Sequence, residues 1–305
     1  MSYTYLALLL LLSAIWGASF LFIKIGVSEM GPLTFATLRV LIGSVVLLLI
    51  SRLRRERLPT DPKLWLRFAI MGTFNALVPF ATIAWGTQYI PSGLSAILNA
   101  TMPLFTFILA AAWGNERLSL HRVCGLLIGF AGIIVLTWPQ LRGGLQASLW
   151  GELAVIVGSL SYAIAAVYAR RSLAGQSPII ASLGQVSMGF LLFIPFSLLE
   201  KPWTFNPSIR AILALLALGV LGTGVAYIIY YRLIQGLGAT GASLVTYIVP
   251  LFGIFWGWAV LGERLSWHAF VALLMILVGL VLVNNLLATN KAQRRGHAPG
   301  SKPQG

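Results

Sequence analysis

The chain has 305 residues, 58% of them hydrophobic and 9% charged, with a mean hydropathy of +0.89. A soluble domain carries about 25% charged residues, so this chain cannot cover a water-facing surface and its surplus apolar area must meet lipid. The formal charge of +14, from 21 Lys and Arg against 7 acids, does not point to nucleic acid, because the basic residues sit in short connections between apolar runs.

Ten apolar stretches are long enough to cross a hydrocarbon core of about 30 Å as helix: 4–26, 32–51, 67–88, 91–113, 120–138, 150–170, 178–199, 209–235, 238–261 and 267–288. Unpaired backbone groups are costly in lipid and alternating strand-length segments are absent, so the fold class expected is an all-α integral membrane protein. The first stretch lacks a basic leader and is too long for a signal-peptide core, which makes it an uncleaved span. It carries Ser13, Trp16, Phe20 and Lys24 at helical spacing. In the second, Arg39 lies about 10 Å along the helix from Pro32. The third holds Asn75 and Thr82, and the fourth Ser92, Ser95 and Asn99. The fifth contains the only cysteine, Cys124, which reads as a small packing residue and leaves no disulfide or cysteine metal cluster to form. Glu152 opens the sixth, with Tyr162 deeper in it. Tyr227, Tyr230, Tyr231 and Arg232 lie in the eighth, and Ser243 and Thr246 in the ninth. Gly31-Pro32, Pro59, Pro91, Pro139, Pro178 and Pro207 punctuate the connections. Residues 289–305 form a polar, basic tail with the composition of a disordered cytoplasmic segment lying against anionic lipid heads.

Fourteen basic residues flank the spans on the side of the termini, against Arg142, Lys201, Arg210 and Arg264 on the other. That asymmetry places both termini in the cytoplasm, and the membrane expected is the plasma (inner) membrane.

The two halves repeat each other. Pro103-Leu104-Phe105 recurs as Pro250-Leu251-Phe252, and Glu116-Arg117-Leu118-Ser119 as Glu263-Arg264-Leu265-Ser266, both 147 positions apart (250 − 103 and 263 − 116). Nearer the start the shift is 146, pairing Ser13 with Ser159, Trp16 with Tyr162, Lys24 with Arg170 and Pro32 with Pro178. Each copy holds five spans, so the second enters the membrane from the opposite side. The expected domains are residues 1–145, residues 146–288 as an inverted second copy, and the tail. Inverted repeats present one midplane site to each side in turn, which argues for transport.

The sequence resembles the drug/metabolite transporter superfamily, specifically its ten-helix EamA-type exporters. The resemblance is carried by Trp16-Gly17-Ala18-Ser19-Phe20, by Arg39, and by the run from Pro91 to Glu116-Arg117-Leu118 with its second copy from Pro250 to Glu263-Arg264-Leu265. It covers almost the whole chain apart from the tail. It implies two inverted five-helix halves around a central cavity and export of amino acids, related metabolites or toxic compounds, without fixing which.

A solute site needs polar or aromatic groups facing protein at mid-depth. The candidates are Trp16, Asn75, Thr82, Ser95, Asn99, Tyr162, Tyr227, Tyr231 and Thr246, with Lys24 and Arg39 as charged residues within the membrane. Each has a structural alternative. Hydroxyls commonly bond their own backbone or join helices, aromatics pack or line the interface, and Lys24 and Arg232 lie near span ends where long side chains snorkel. The E-R-L-S turns read as structural, with the carboxylate pairing locally and Ser119 or Ser266 capping the next helix. His121 and His268 read as interfacial.

No acid falls mid-span, which weighs against a cation exporter and favours amino-acid-like solutes, aromatic ones included. A multidrug exporter is the alternative. No H-E-x-x-H motif or acid-rich span suggests an enzyme, and no cofactor is called for. The expected partners are a small-molecule substrate and the bilayer. The Gly125/Gly129 and Gly253/Gly257 pairs read as packing sites inside one chain, compatible with a monomer.

Overall fold

The structure, a computed structural model, describes residues 3–113, 119–142 and 146–283. Its helices are α1 (Tyr3–Val27), α2 (Pro32–Leu53), α3 (Pro62–Gly72), α4 (Val78–Tyr89), α5 (Ser92–Asn99), α6 (Met102–Ala112), α7 (Leu120–Arg142), α8 (Ala147–Ser172), α9 (Pro178–Leu199), α10 (Ile209–Ala217), α11 (Ala226–Ala242), α12 (Val245–Leu261) and α13 (Trp267–Val283). These make ten crossings. Eight are long, apolar helical stretches, and α12 and α13 are shorter ones of 17 residues each.

Three crossings are not simple helices, and the sequence explains two of the irregularities. Between α3 and α4 the chain widens into a π-helical turn, Thr73–Leu77, where the Val78 N–H reaches back to the Thr73 carbonyl. Pro79 follows at once; it has no N–H for the Asn75 carbonyl and its ring crowds that oxygen. The glycine-rich segment Leu218–Val225 widens in the same way between α10 and α11. Thr73–Leu77 and Leu218–Val225 overlap under the 147-residue shift, so the inverted copies share the feature. The fourth crossing breaks at Ala100 and Thr101, because Pro103 cannot donate to the Asn99 carbonyl. Its repeat partner Pro250 sits inside the unbroken α12. The ninth crossing also departs from expectation: residues 238–242 belong to the end of α11, and α12 starts only at Val245.

Equivalent helices of the two copies run antiparallel, as inversion requires. Gly125 of α7 lies against Gly279 and Leu282 of α13, while Gly132 lies against Ala272 and Met275. A Cβ at Gly125 would come 2.7 Å from the Gly279 carbonyl oxygen, so only glycine allows this backbone approach. The G-x-x-x-G pair of α7 therefore packs within the chain. So does Gly253, where a Cβ would fall on the Ala96 side chain.

The α2–α9 pair is pinned at both ends. Glu200, at the end of α9, accepts from the backbone N–H of Leu33 (3.1 Å) and Thr34 (2.7 Å) at the start of α2. At the other end, Ser177 before α9 donates its hydroxyl to Glu56 beyond α2. Helix N-termini carry unsatisfied N–H groups and partial positive charge, so a carboxylate settles both.

Other acids follow the same rule. Glu29 accepts from the Ser208 N–H (2.6 Å) and hydroxyl (2.8 Å) at the head of α10. Asp61 caps α3 through the Lys63 N–H. Glu263, expected to pair locally, instead reaches across the repeat to α5. It accepts from Ser92 N–H (2.8 Å), Ser92 Oγ (2.9 Å) and Gly93 N–H (3.1 Å). Glu116 lies outside the described residues. Ser119 does not cap α7 with its hydroxyl, which sits 3.2 Å from His121 Nδ1. Cys124, read as a packing residue, is exposed on α7 and faces outward from the bundle.

Candidate functional site

Arg39 is the buried cation around which the candidate site is described. It lies on α2, and its side chain is only 9% exposed. Its guanidinium carbon stands 3.8 Å from the Phe80 ring centroid on α4, within cation–π range. Nε donates to Thr223 Oγ1 at 3.4 Å, from the glycine-rich π segment. The hydroxyls of Tyr162 on α8 and Tyr227 on α11 lie within its electrostatic reach. No acid among the described residues pairs with it. Snorkelling therefore does not describe Arg39. The chain has placed a buried guanidinium among one aromatic face, one hydroxyl and two phenols.

The surroundings bring together several of the sequence candidates. Tyr162 packs edge-on against Phe80, with ring centroids 6.3 Å apart. Tyr162 and Tyr227 both border the apolar cluster of Ala36, Val40, Ala76, Phe80 and Phe193. Asn75, on the first π turn, donates to Gln185 Oε1 on α9 at 3.1 Å. Trp16 donates Nε1–H to the Gly222 carbonyl (3.2 Å), next to Thr223, and its ring tilts against Tyr230 at 5.4 Å. Both π segments thus supply polar groups here; such turns break the regular ladder and are frequent at functional positions.

Asn99 ends α5 at the break in the fourth crossing. Its side-chain oxygen is buried and has no hydrogen-bond partner in the protein. Ser159, one turn before Tyr162, donates to the neighbouring Leu98 carbonyl at 3.3 Å and ties this break to α8. An amide oxygen left open beside a discontinuous helix can accept from a solute N–H.

The other candidates make contacts within the protein. Thr82 donates to the Val78 carbonyl and Thr246 to the Ser243 carbonyl, each in its own turn. Ser95 is fully buried and shares a 3.0 Å hydrogen bond with Thr87. Lys24 neither snorkels nor joins the site. Its ammonium donates to the carbonyls of Thr87 (2.8 Å), Gln88 (3.1 Å) and Ile90 (2.9 Å), closing the C-terminal end of α4. Tyr231 lies on α11, its side chain outside the described residues.

The sequence profile of the EamA-like transporter family matches residues 4–138 and 149–285. The chain belongs to that family. Among curated relatives, it is 28% identical over 273 residues to the uncharacterized transporter YoaV of Bacillus subtilis, covering 88% of this chain and 92% of that one. It is 31% identical over 270 residues to the uncharacterized inner membrane transporter YedA of Escherichia coli, covering 88% and 87%. A solved crystal structure aligns over 98% of this chain and 100% of its own with a TM-score of 0.65 at 21% identity, which supports the fold. This EamA-like chain is thus a multi-pass membrane protein of a transporter family.

Three residues of the site were not singled out in the sequence. Phe80 and Thr223 look like ordinary span residues until Arg39 is placed. Gln185 carried the better signal, because a glutamine inside the apolar run 178–199 needs a partner.

Proposed function

We propose that this EamA-like transporter exports small amphipathic metabolites bearing a carboxylate, amino-acid-like solutes including aromatic ones, by exposing the Arg39 site to each side in turn. The observation that carries this reading is a buried guanidinium with no acid beside it. An intramembrane cation is costly without an anion, and a planar guanidinium matches a carboxylate through paired N–H donors. Phe80, Tyr162, Tyr227 and Trp16 offer flat apolar faces for the rest of the solute, and Asn99 an acceptor for its ammonium. The basic residues on the side of the termini orient that face to the cytoplasm, so export runs from the termini face outward.

The test is counterflow of labelled amino acids in proteoliposomes. The wild type is expected to exchange one or more of them. Arg39→Gln is expected to abolish exchange and Arg39→Lys to weaken it, since an ammonium keeps the charge and loses the fork. Uptake of a quaternary amine with no exchange of any amino acid would overturn the reading and favour a multidrug exporter.

A further inference from the structure

All the described acids but one hold a helix N-terminus or the residue beside it. Glu152 is the exception. It lies on α8, five residues beyond Ala147, about 7.5 Å along the helix, and its side chain is fully buried. Neither carboxylate oxygen has a hydrogen-bond partner in the protein. Beside it, α8 and α4 meet backbone to backbone: a Cβ at Gly151 would come 2.9 Å from the Gly86 carbonyl oxygen, and one at Gly86 2.5 Å from that of Gly151. The two backbones are in direct contact at this seam.

Among the described side chains, no cation is paired with the acid; that of Arg142, at the end of α7, lies outside them. Of the elements packed on α8, α5, α6 and the Thr73–Leu77 turn carry no ionisable side chain. Tyr89 stands on α4, Lys63 and Arg67 on α3, and His121, Arg122, Cys124 and Arg142 on α7. Lys63, Arg67, His121, Arg122 and Cys124 lie toward the opposite face, near the termini. Lys24 spends its ammonium on the carbonyls ending α4. A carboxylate with no hydrogen-bond donor is far more costly to bury than a neutral acid. The repeat does not need an acid here either. At the 146-residue shift its counterpart is Leu6 (152 − 146), an apolar residue.

We infer that Glu152 is a proton-binding site that exchanges its proton with water only when α8 parts from α4 and α5, tying one proton to one conformation of the transporter. On opening, the O–H bond breaks to water and a solvated carboxylate remains. Closure requires the proton back, because no hydrogen-bond donor meets the carboxylate in the closed seam. A proton gradient then biases the conformational cycle, and solute movement with it. This inference rests on the transport reading.

Two measurements on the full-length protein in lipid test it. Infrared difference spectra taken across neutral pH should contain the carbonyl stretch of a protonated carboxyl that shifts slowly on transfer to D2O. Glu152→Gln should remove that band and Glu29→Gln should leave it. Glu152→Leu gives the same test with an apolar side chain if the buried amide is not tolerated. Absence of the band in the wild type, or its survival in both Glu152 variants, overturns the inference. In proteoliposomes, a pH gradient should drive accumulation of labelled amino acid by the wild type, while Glu152→Gln retains counterflow and loses the gradient-driven part. Equal gradient response in variant and wild type also overturns it. Failure of wild-type counterflow would strike the transport reading alone, and the infrared result would still decide whether Glu152 carries a proton.

Discussion

Glu263→Ala gives the sharpest test of how the two repeats are held together on the face opposite the termini. The carboxylate accepts three hydrogen bonds, of 2.8, 2.9 and 3.1 Å, at the head of α5. Hydrogen bonds to a charged group are worth about 1.5–3 kcal/mol each. The three share one carboxylate in a half-exposed turn, so the whole set is discounted to about 3 kcal/mol for solvent screening. At about 2–4 °C per kcal/mol for a chain of this size, the thermal midpoint should fall by roughly 6–12 °C. Glu263→Gln keeps one good acceptor and should lose about half as much. The assay is thermal unfolding of the purified protein followed by tryptophan fluorescence, with Arg264→Ala as reference because Arg264 is exposed in the same turn. An Ala variant within about 1 °C of wild type, or an Arg264 variant equally damaged, would refute the reasoning.

Further outcomes follow from other contacts. Glu29 lies in the first connection, where the Ser208 N–H and then its hydroxyl hold the carboxyl below its ordinary range; Arg210 adds attraction and burial opposes. Because the folded value is depressed, this stabilisation is complete above the unfolded value and is lost as pH falls through the folded one; midpoint against pH should flatten at the acid end in Glu29→Gln. At Gly253, a valine would collide with Ala96 of α5, and overpacking should cost about 1–3 kcal/mol, read as a lowered thermal midpoint. Trp16→Ala and Asn99→Ala should reduce counterflow well below that of His297→Ala, a tail residue, with all three expressed and folded; equal flux in the three would remove Trp16 and Asn99 from the site.

The ten crossings and their inversion were legible because both depend on pattern: long apolar runs, and a P-L-F and E-R-L-S series that recurs at one spacing. Arg39 was legible as well, since a guanidinium far from any span end must face something other than lipid. What escaped the sequence depends on contact between distant segments. Glu263 and Arg264 are neighbours in the chain, which suggests a local pair, yet α5 offers the carboxylate three donors at once. Lys24 stands near the end of its span, where snorkelling is the usual outcome, but the end of α4 lies closer than water. The widened turn at Thr73–Leu77 comes from Pro79, and that at Leu218–Val225 falls in a glycine-rich run; neither has a periodic signature. Glu152 looked peripheral from an expected start at residue 150; α8 begins at Ala147, and the neighbouring helices cover the acid completely.

The double pinning of α2 to α9 limits what the molecule can do when it changes shape. Two antiparallel rods fastened at each tip cannot slip past each other by a helical turn of about 5.4 Å without surrendering both fastenings together. In the proposed transport cycle they would therefore travel as one beam, leaving the swing to the broken fourth crossing and the two widened turns, where the backbone ladder is already interrupted.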